Sequence, residues 1–118
     1  MERALEIFLE EYSTWKKVII EKLAKAKADF AKLKNQIQTN GLTKELDGAL
    51  FMCQHQLTTY SYMFMEAHMR VKNAYSFYDD EQKNEIDSYN PVSKKVGKFI
   101  NEVIEFRELC TSSVDYTK

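Results

Sequence analysis

The side chains that most often carry chemistry are scarce in this chain, which has two histidines and two cysteines among its 118 residues. Cys53 and His55 lie two positions apart in a helix-like stretch, so their side chains point in different directions and do not form a nucleophile–base pair. His68 follows His55 by 13 positions, on a different face of the same helix. We therefore expect both histidines to be solvated or to lie at the edge of a core.

Sequence motifs for metals, cofactors and phosphate groups are also missing. A carboxylate-bridged metal site in a helical bundle uses Glu-x-x-His pairs, and the sequence has none. Acidic pairs such as Glu102 and Glu105 have no matching pair on a second helix, so they predict a solvated face. There is no glycine-rich phosphate loop and no nucleophile elbow. The sequence predicts a protein that is not an enzyme, without catalytic residues, cofactor or metal.

The two cysteines, Cys53 and Cys110, fall at apolar helical positions and are far apart in the sequence. This placement is typical of buried, reduced thiols in a cytoplasmic protein. The first eleven residues are acidic and amphipathic, unlike a signal peptide. We expect a cytoplasmic location.

Composition limits the fold and the class of partner. A chain of 13.9 kDa is expected to form a single domain, residues 1–118. With 17 basic and 18 acidic residues the net charge is −1, which is unlike both a strongly basic nucleic-acid binder and a disordered acidic tail. Only 3 glycines and 1 proline occur, and this shortage of turn residues favours a nearly all-helical fold.

Apolar residues recur at helical spacing over the first two thirds of the chain. The first helix is predicted over residues 2–39, ended by Asn40 and Gly41, and the second over 43–78, capped by Thr43. The first apolar stripe is Leu5, Phe8, Tyr12, Trp15, Ile19, Leu23, Ala26, Phe30, Leu33 and Ile37. The second is Leu46, Leu50, Cys53, Leu57, Tyr60, Phe64, Ala67, Val71, Ala74 and Tyr78. Spacings of three and four are typical of coiled coils, and the short loop requires an antiparallel hairpin.

A polar, acidic connector over 79–90 precedes a third helix predicted over 91–111. Asp79 or Asp80 is expected to cap a short helix that runs through Ile86, and Asn90 to cap the third helix, with Pro91 in its first turn. The apolar positions of the third helix form a wide stripe, so we expect it to contact two neighbours. The predicted fold is all-α: a long, coiled-coil-like antiparallel hairpin with a shorter third helix, together a three-helix bundle.

Residues 48–65 contain no Asp, Glu, Lys or Arg, although 30% of the chain is charged. The polar groups in the middle of this run would each cost several kcal/mol in hydrocarbon, so we do not expect a membrane span. We expect instead that the run has little contact with water. Besides the second stripe it carries part of another helical row, which continues to Met69: Phe51, His55, Thr58, Tyr62, Met65 and Met69.

This row, called the outer stripe below, lies opposite the stripe that faces the first helix. Three explanations for it compete. The third helix could cover it, two copies of the chain could meet along it, or it could bind another protein. Methionine and aromatic side chains suit an adaptable binding surface as well as a core.

The first helix is locally basic between residues 16 and 34, where only Glu21 and Asp29 are acidic. The basic residues, called the lysine arc below, spread around the polar side and include no arginine, the commonest residue in specific base contacts. A solvated face is the simpler interpretation, and phosphate contact is the alternative. The candidates for phosphate contact are Lys16, Lys17, Lys22, Lys25, Lys27, Lys32 and Lys34.

The function expected from these features is protein–protein interaction without catalysis. The chain would act as a small adaptor, assembly factor or inhibitor through its helix faces, as a homo-oligomer, and the outer stripe is the expected interface. The alternative is a nucleic-acid-binding accessory protein that uses the lysine arc.

Overall fold

The computed structural model describes residues 2–113, and the side chains of residues 3–111. This part of the chain is helical and contains no strand. It forms an elongated body of 61 × 22 × 17 Å. The helices are α1 (Glu2–Asn40), α2 (Lys44–Asn73), α3 (Asp80–Asp87) and α4 (Tyr89–Ser113), with a 3₁₀ turn at Tyr75–Phe77. The all-α bundle predicted from the sequence is confirmed.

α1 and α2 form the antiparallel hairpin that the two stripes predict. All members of both stripes are buried or half-buried. The loop uses the predicted signals: Gly41 has φ +87°, which a residue with a Cβ rarely adopts, and its N–H donates to Ile37 O. Thr43 accepts a hydrogen bond from the Leu46 N–H at 3.1 Å and so caps α2.

α2 ends at Asn73, five residues before the predicted end at Tyr78. The N–H of Ala74 bonds to the nearby Val71 carbonyl, which tightens the backbone into the 3₁₀ turn. Tyr78 has an extended backbone, yet its ring is buried and its hydroxyl donates to Leu5 O at 2.8 Å. The helical spacing of the stripe thus continues past the helix, because Tyr78 closes the end of the hairpin core.

The connector contains the expected short helix, α3, which extends one residue past Ile86. Asp79 is its cap: it accepts from the Gln82 N–H, and the Gln82 side chain accepts from the Asp79 N–H. At the other end of α3, the buried Tyr12 hydroxyl lies 3.0 Å from Glu85 O and 3.2 Å from Ile86 O. Tyr12 therefore ties α3 to α1.

α4 begins at Tyr89, so Asn90 lies inside the helix and the prediction that Asn90 caps it is wrong. The helix starts directly after Ser88, which leaves no room for an Asn90 cap, and Pro91 falls in the first turn. As expected, α4 contacts two neighbours. Phe99 and Phe106 pack edge-to-face on Phe30 of α1, and Tyr89 packs on α2.

α4 runs antiparallel to α2. Tyr89 lies beside Phe64, with ring centroids 4.9 Å apart, whereas Arg107 near the other end binds Asp47 through Nε at 2.6 Å. Among the described residues, no helix is long and apolar enough to cross a membrane.

Candidate interaction surfaces

The outer stripe of α2 is largely exposed, so the explanation that the third helix covers it is wrong. Tyr62 is 58% exposed and Met69 53%, His55 and Thr58 are exposed, and Met65 is half-buried. α4 touches this stripe at its edge, where the Arg107 guanidinium lies 5.3 Å from the centroid of the Phe51 ring. α4 packs instead on the flank of α2 that carries Asp47, Phe64 and His68.

The expectation that residues 48–65 have little contact with water is also wrong for their outer half. Leu50, Leu57 and Phe64 are buried, but Phe51, Met52 and Met63 are each at least 38% exposed. Residues 48–65 carry no charge on any side of α2, whereas only their inner side packs on other helices within the described structure. An uncharged, solvent-facing side in a chain this rich in charge is a candidate interaction surface.

Local hydrogen bonds make this surface less polar than its sequence indicates. The Thr58 hydroxyl donates to Gln54 O at 2.9 Å, and the Thr59 hydroxyl donates to His55 O at 3.2 Å. The His55 ring stacks on Phe51 with centroids 5.4 Å apart. Because the hydroxyl protons are used within the helix, methyl groups and rings dominate what a partner would meet.

The lysine arc is divided by contacts within the fold. Lys16 binds the Glu85 carboxylate of α3 at 3.1 Å, Lys25 pairs with Asp29, and Lys34 lies over the rings of Phe30 and Phe106. Lys34 and Lys25 are nine residues apart and so lie about 180° apart around α1. The structure does not bring the seven lysines together on one surface. This separation disfavours a single track for a phosphate backbone.

A groove between α1 and α2, which the sequence alone did not predict, lies on the side of the hairpin opposite α4. Its volume is about 540 Å³, and none of the α4 residues that the structure describes lines it. Gln56 on the groove wall is nine residues from Asp47, which binds α4, so the two lie about 180° apart around α2. The apolar lining consists of Ala26, Leu33, Ala49, Met52, Cys53, Leu57 and Tyr60.

The two walls of this groove differ in charge. The α1 wall carries Lys22, Lys25, Lys32 and Asp29, whereas the α2 wall is uncharged. Lys22 extends over the Tyr60 ring, with Nζ 5.3 Å from the centroid. The groove therefore has an apolar floor and a net positive rim along one side. Finding it from sequence requires the register of two helices, because neither helix carries the pattern alone.

The cysteines and histidines do not assemble into a reactive centre within the described structure. Cys53 and Cys110 are both half-buried, and burial raises the pKa of each thiol. The nearby Asp29 carboxylate adds to the effect at Cys53, so the thiol form is favoured there. Among the described side chains, no three His, Cys, Asp or Glu residues are placed to hold a metal ion.

His68 lies at the edge of the core, as the sequence predicts. Its ring stacks on Tyr89 of α4 with centroids 3.8 Å apart and an interplanar angle of 6°. Burial lowers the pKa of His68, the positive charge of Lys72 lowers it further, and Asp87 partly opposes both. The stacked rings of His68 and Tyr89 join α2 to α4, and the lowered pKa of His68 favours the uncharged imidazole.

Comparisons of the chain with protein-family models, with curated proteins and with solved structures gave no match.

Proposed function

We propose that this protein is a non-enzymatic interaction module, a small adaptor, assembly factor or inhibitor, that associates with a second copy of itself through the outer stripe of α2. The observation that carries the proposal is the exposed, uncharged side of residues 48–65. On the outer stripe itself, the large apolar side chains of Phe51, Tyr62 and Met69 are 40–58% exposed. An exposed row of large apolar side chains without charge is a feature of protein contact sites.

The spacing of the outer stripe supports a second copy as the occupant. The stripe is symmetric about position 60, because its six members form three pairs whose residue numbers each average 60: 51 and 69, 55 and 65, and 58 and 62. In an antiparallel, two-fold arrangement of α2 helices, Phe51 would face the partner's Met69, His55 the partner's Met65, and Thr58 the partner's Tyr62. A two-fold interface requires such a self-complementary surface. The absence of charge from this stripe avoids like-charge contacts between identical copies.

The length of the stripe is sufficient for a stable helix pair. Phe51 and Met69 are separated by 18 residues, or about 27 Å along the axis. The interface would extend over five helical turns and offer an aromatic or methionine side chain at four of its six positions. Aromatic and methionine side chains are enriched at the centres of interfaces.

Sedimentation velocity at micromolar protein concentration tests the proposal. We expect a species of about twice the 13.9 kDa of the chain, and we expect Tyr62→Glu to convert it to monomer, because a carboxylate at the centre of the interface would be buried without a partner. Gln38→Glu adds the same charge at an exposed position of α1 and is expected to leave the dimer intact. A monomeric wild-type protein, with Tyr62→Glu changing neither mass nor thermal midpoint, would contradict the proposal.

A further inference from the structure

One side of the α1/α2 hairpin is covered by a helix, whereas the other side has an open groove. On one side α4 lies along both helices and contributes Phe99, Phe106 and Tyr89 to the core. The other side holds the groove of about 540 Å³ described above. Both are furrows between the same pair of antiparallel helices. A helix seated in the second would complete a four-helix arrangement, in which each helix packs on two neighbours.

The dimensions of the groove suit a helix of three to four turns. On α1 it extends from Lys22 to Gln36, which is about 21 Å at the helical rise. Small side chains lie on both walls, Ala26 on α1 and Ala49 on α2, and they allow close approach of a third helix. Tyr60 lines one end of the groove, and its ring packs on Trp15 with centroids 6.4 Å apart.

The charges on the α1 wall determine which kind of helix the groove would bind. Three lysines and one aspartate line the α1 wall, and that aspartate, Asp29, is already paired with Lys25 at 3.1 Å. Lys22 and Lys32 are exposed at the rim. A helix with carboxylates along the flank that faces α1 would meet attractive potential, and a basic helix would meet repulsion. The uncharged α2 wall imposes no such requirement on the other flank.

We infer that this groove binds an acidic amphipathic helix of another protein. The apolar stripe of that helix would lie on the groove floor near Leu33, Cys53 and Leu57, and its Asp or Glu residues would pair with Lys22 and Lys32. This is recognition of a helix by a hydrophobic groove, with anchors at helical spacing. The inference rests on the proposed role as an interaction module, but it uses a different surface from the outer stripe.

Fluorescence anisotropy with a labelled synthetic helix tests the inference. The probe is a peptide of about 16 residues with a leucine stripe and glutamates on its flanks, and the matched peptide carries lysines in place of the glutamates. We expect saturable binding of the acidic peptide and none of the basic one. The charge-reversed variant Lys22→Glu/Lys32→Glu is expected to weaken binding at least about tenfold.

A matched variant separates the groove from general electrostatics. Lys17→Glu/Lys27→Glu changes the net charge of the protein equally, at two exposed α1 positions that do not line the groove. It is expected to lower the affinity for the acidic peptide less than about threefold, because only the long-range attraction between the protein and the peptide is weakened. Equal weakening by both double variants, or no binding of the acidic peptide, would overturn the inference.

Thiol protection locates the bound peptide. In a Cys110→Ser background, Cys53 is the one cysteine of the chain and lies in the groove wall. A saturating concentration of acidic peptide is expected to slow its reaction with a disulfide reagent at least about tenfold, because the helix covers the sulfur. An unchanged rate with a bound peptide would show that the peptide lies elsewhere, and the inference would fail.

Two further measurements distinguish a peptide from a nucleic acid in the groove, and peptide binding from self-association through the outer stripe. The first is competition by a single-stranded oligothymidylate. If the oligonucleotide displaces the peptide, and if both double variants weaken its binding, the groove is a nucleic-acid surface and the inference is overturned. Peptide binding measured on Tyr62→Glu is expected to match the wild type. Loss of self-association with retained peptide binding would show that the groove acts apart from the outer stripe, whereas a failed peptide experiment leaves the sedimentation result standing.

Discussion

Tyr12→Phe tests the link between the hairpin and the connector. The hydroxyl of Tyr12 is buried and lies 3.0 Å from Glu85 O, 3.2 Å from Ile86 O and 3.2 Å from Ser88 Oγ. Phenylalanine keeps the ring, which stacks on Phe64 with centroids 5.4 Å apart, and removes the one donor. The substitution therefore isolates the hydrogen bonds from the packing.

The structure limits the size of the effect. Glu85 O also accepts from the Ser88 hydroxyl, and the Ser88 N–H is directed at both carbonyls, so neither acceptor is left bare in the variant. The cost is then that of one buried hydrogen bond, about 1 kcal/mol, rather than the larger penalty of an orphaned carbonyl. We expect this loss in urea unfolding at neutral pH and fixed protein concentration. Thr14→Val, which removes an exposed hydroxyl from the same helix outside both proposed interfaces, is the control and is expected to change stability by less than about 0.5 kcal/mol.

The same variant predicts a dependence on pH. Burial raises the pKa of Tyr12 to about 12 from 10.0, so above pH 10 the unfolded chain loses this proton before the folded one does. The stability that Tyr12 contributes is complete below pH 10 and is lost as the pH rises towards 12. At about pH 11 the expected loss is about 1 kcal/mol in the wild type and absent in Tyr12→Phe. This is the size of the gap at neutral pH, so the two stabilities should converge. An equal stability gap at neutral pH and at about pH 11, or no gap at neutral pH, would refute the reasoning.

Two predictions concern His68 and the glycines. Burial lowers the pKa of His68 from 6.5, so its contribution to stability is complete above pH 6.5 and is lost as the pH falls below that value. Thermal midpoints measured down to about pH 5 should therefore fall more for the wild type than for His68→Phe. Parallel curves for the two proteins would contradict this. A Cβ at Gly41 or at Gly97 would meet no neighbouring atom, so the two positions differ only in backbone conformation. Gly41→Ala should cost about 1 kcal/mol because φ is +87°, whereas Gly97→Ala inside α4 should stabilise the fold by about 0.5–1 kcal/mol. Urea midpoints that shift in the same direction would contradict the backbone argument.

The helices were predictable because each is specified by local signals. The spacing of apolar residues identifies the buried sides of α1 and α2, and the left-handed Gly41 and the cap at Thr43 mark the loop. Where tertiary contacts decide, the sequence is less informative. Tyr78 keeps the helical spacing although α2 has ended, because its position is fixed by a hydrogen bond to Leu5, 73 residues away. Leu109 belongs to the apolar pattern of α4, yet it is 69% exposed.

The surfaces of α2 illustrate the same limit. Periodicity shows that the outer stripe lies opposite the hairpin core, but it does not show which flank of α2 receives α4. That choice depends on pairs that join distant segments: Asp47 with Arg107, and Phe64 and His68 with Tyr89. Once α4 packs on that flank, Tyr62 and Met63 remain exposed on the outer side, and the furrow beside Cys53 remains open. The uncharged composition of residues 48–65 is therefore explained only in part by the core of the chain itself. The remainder is what a partner helix on the outer stripe, or in the groove, would require.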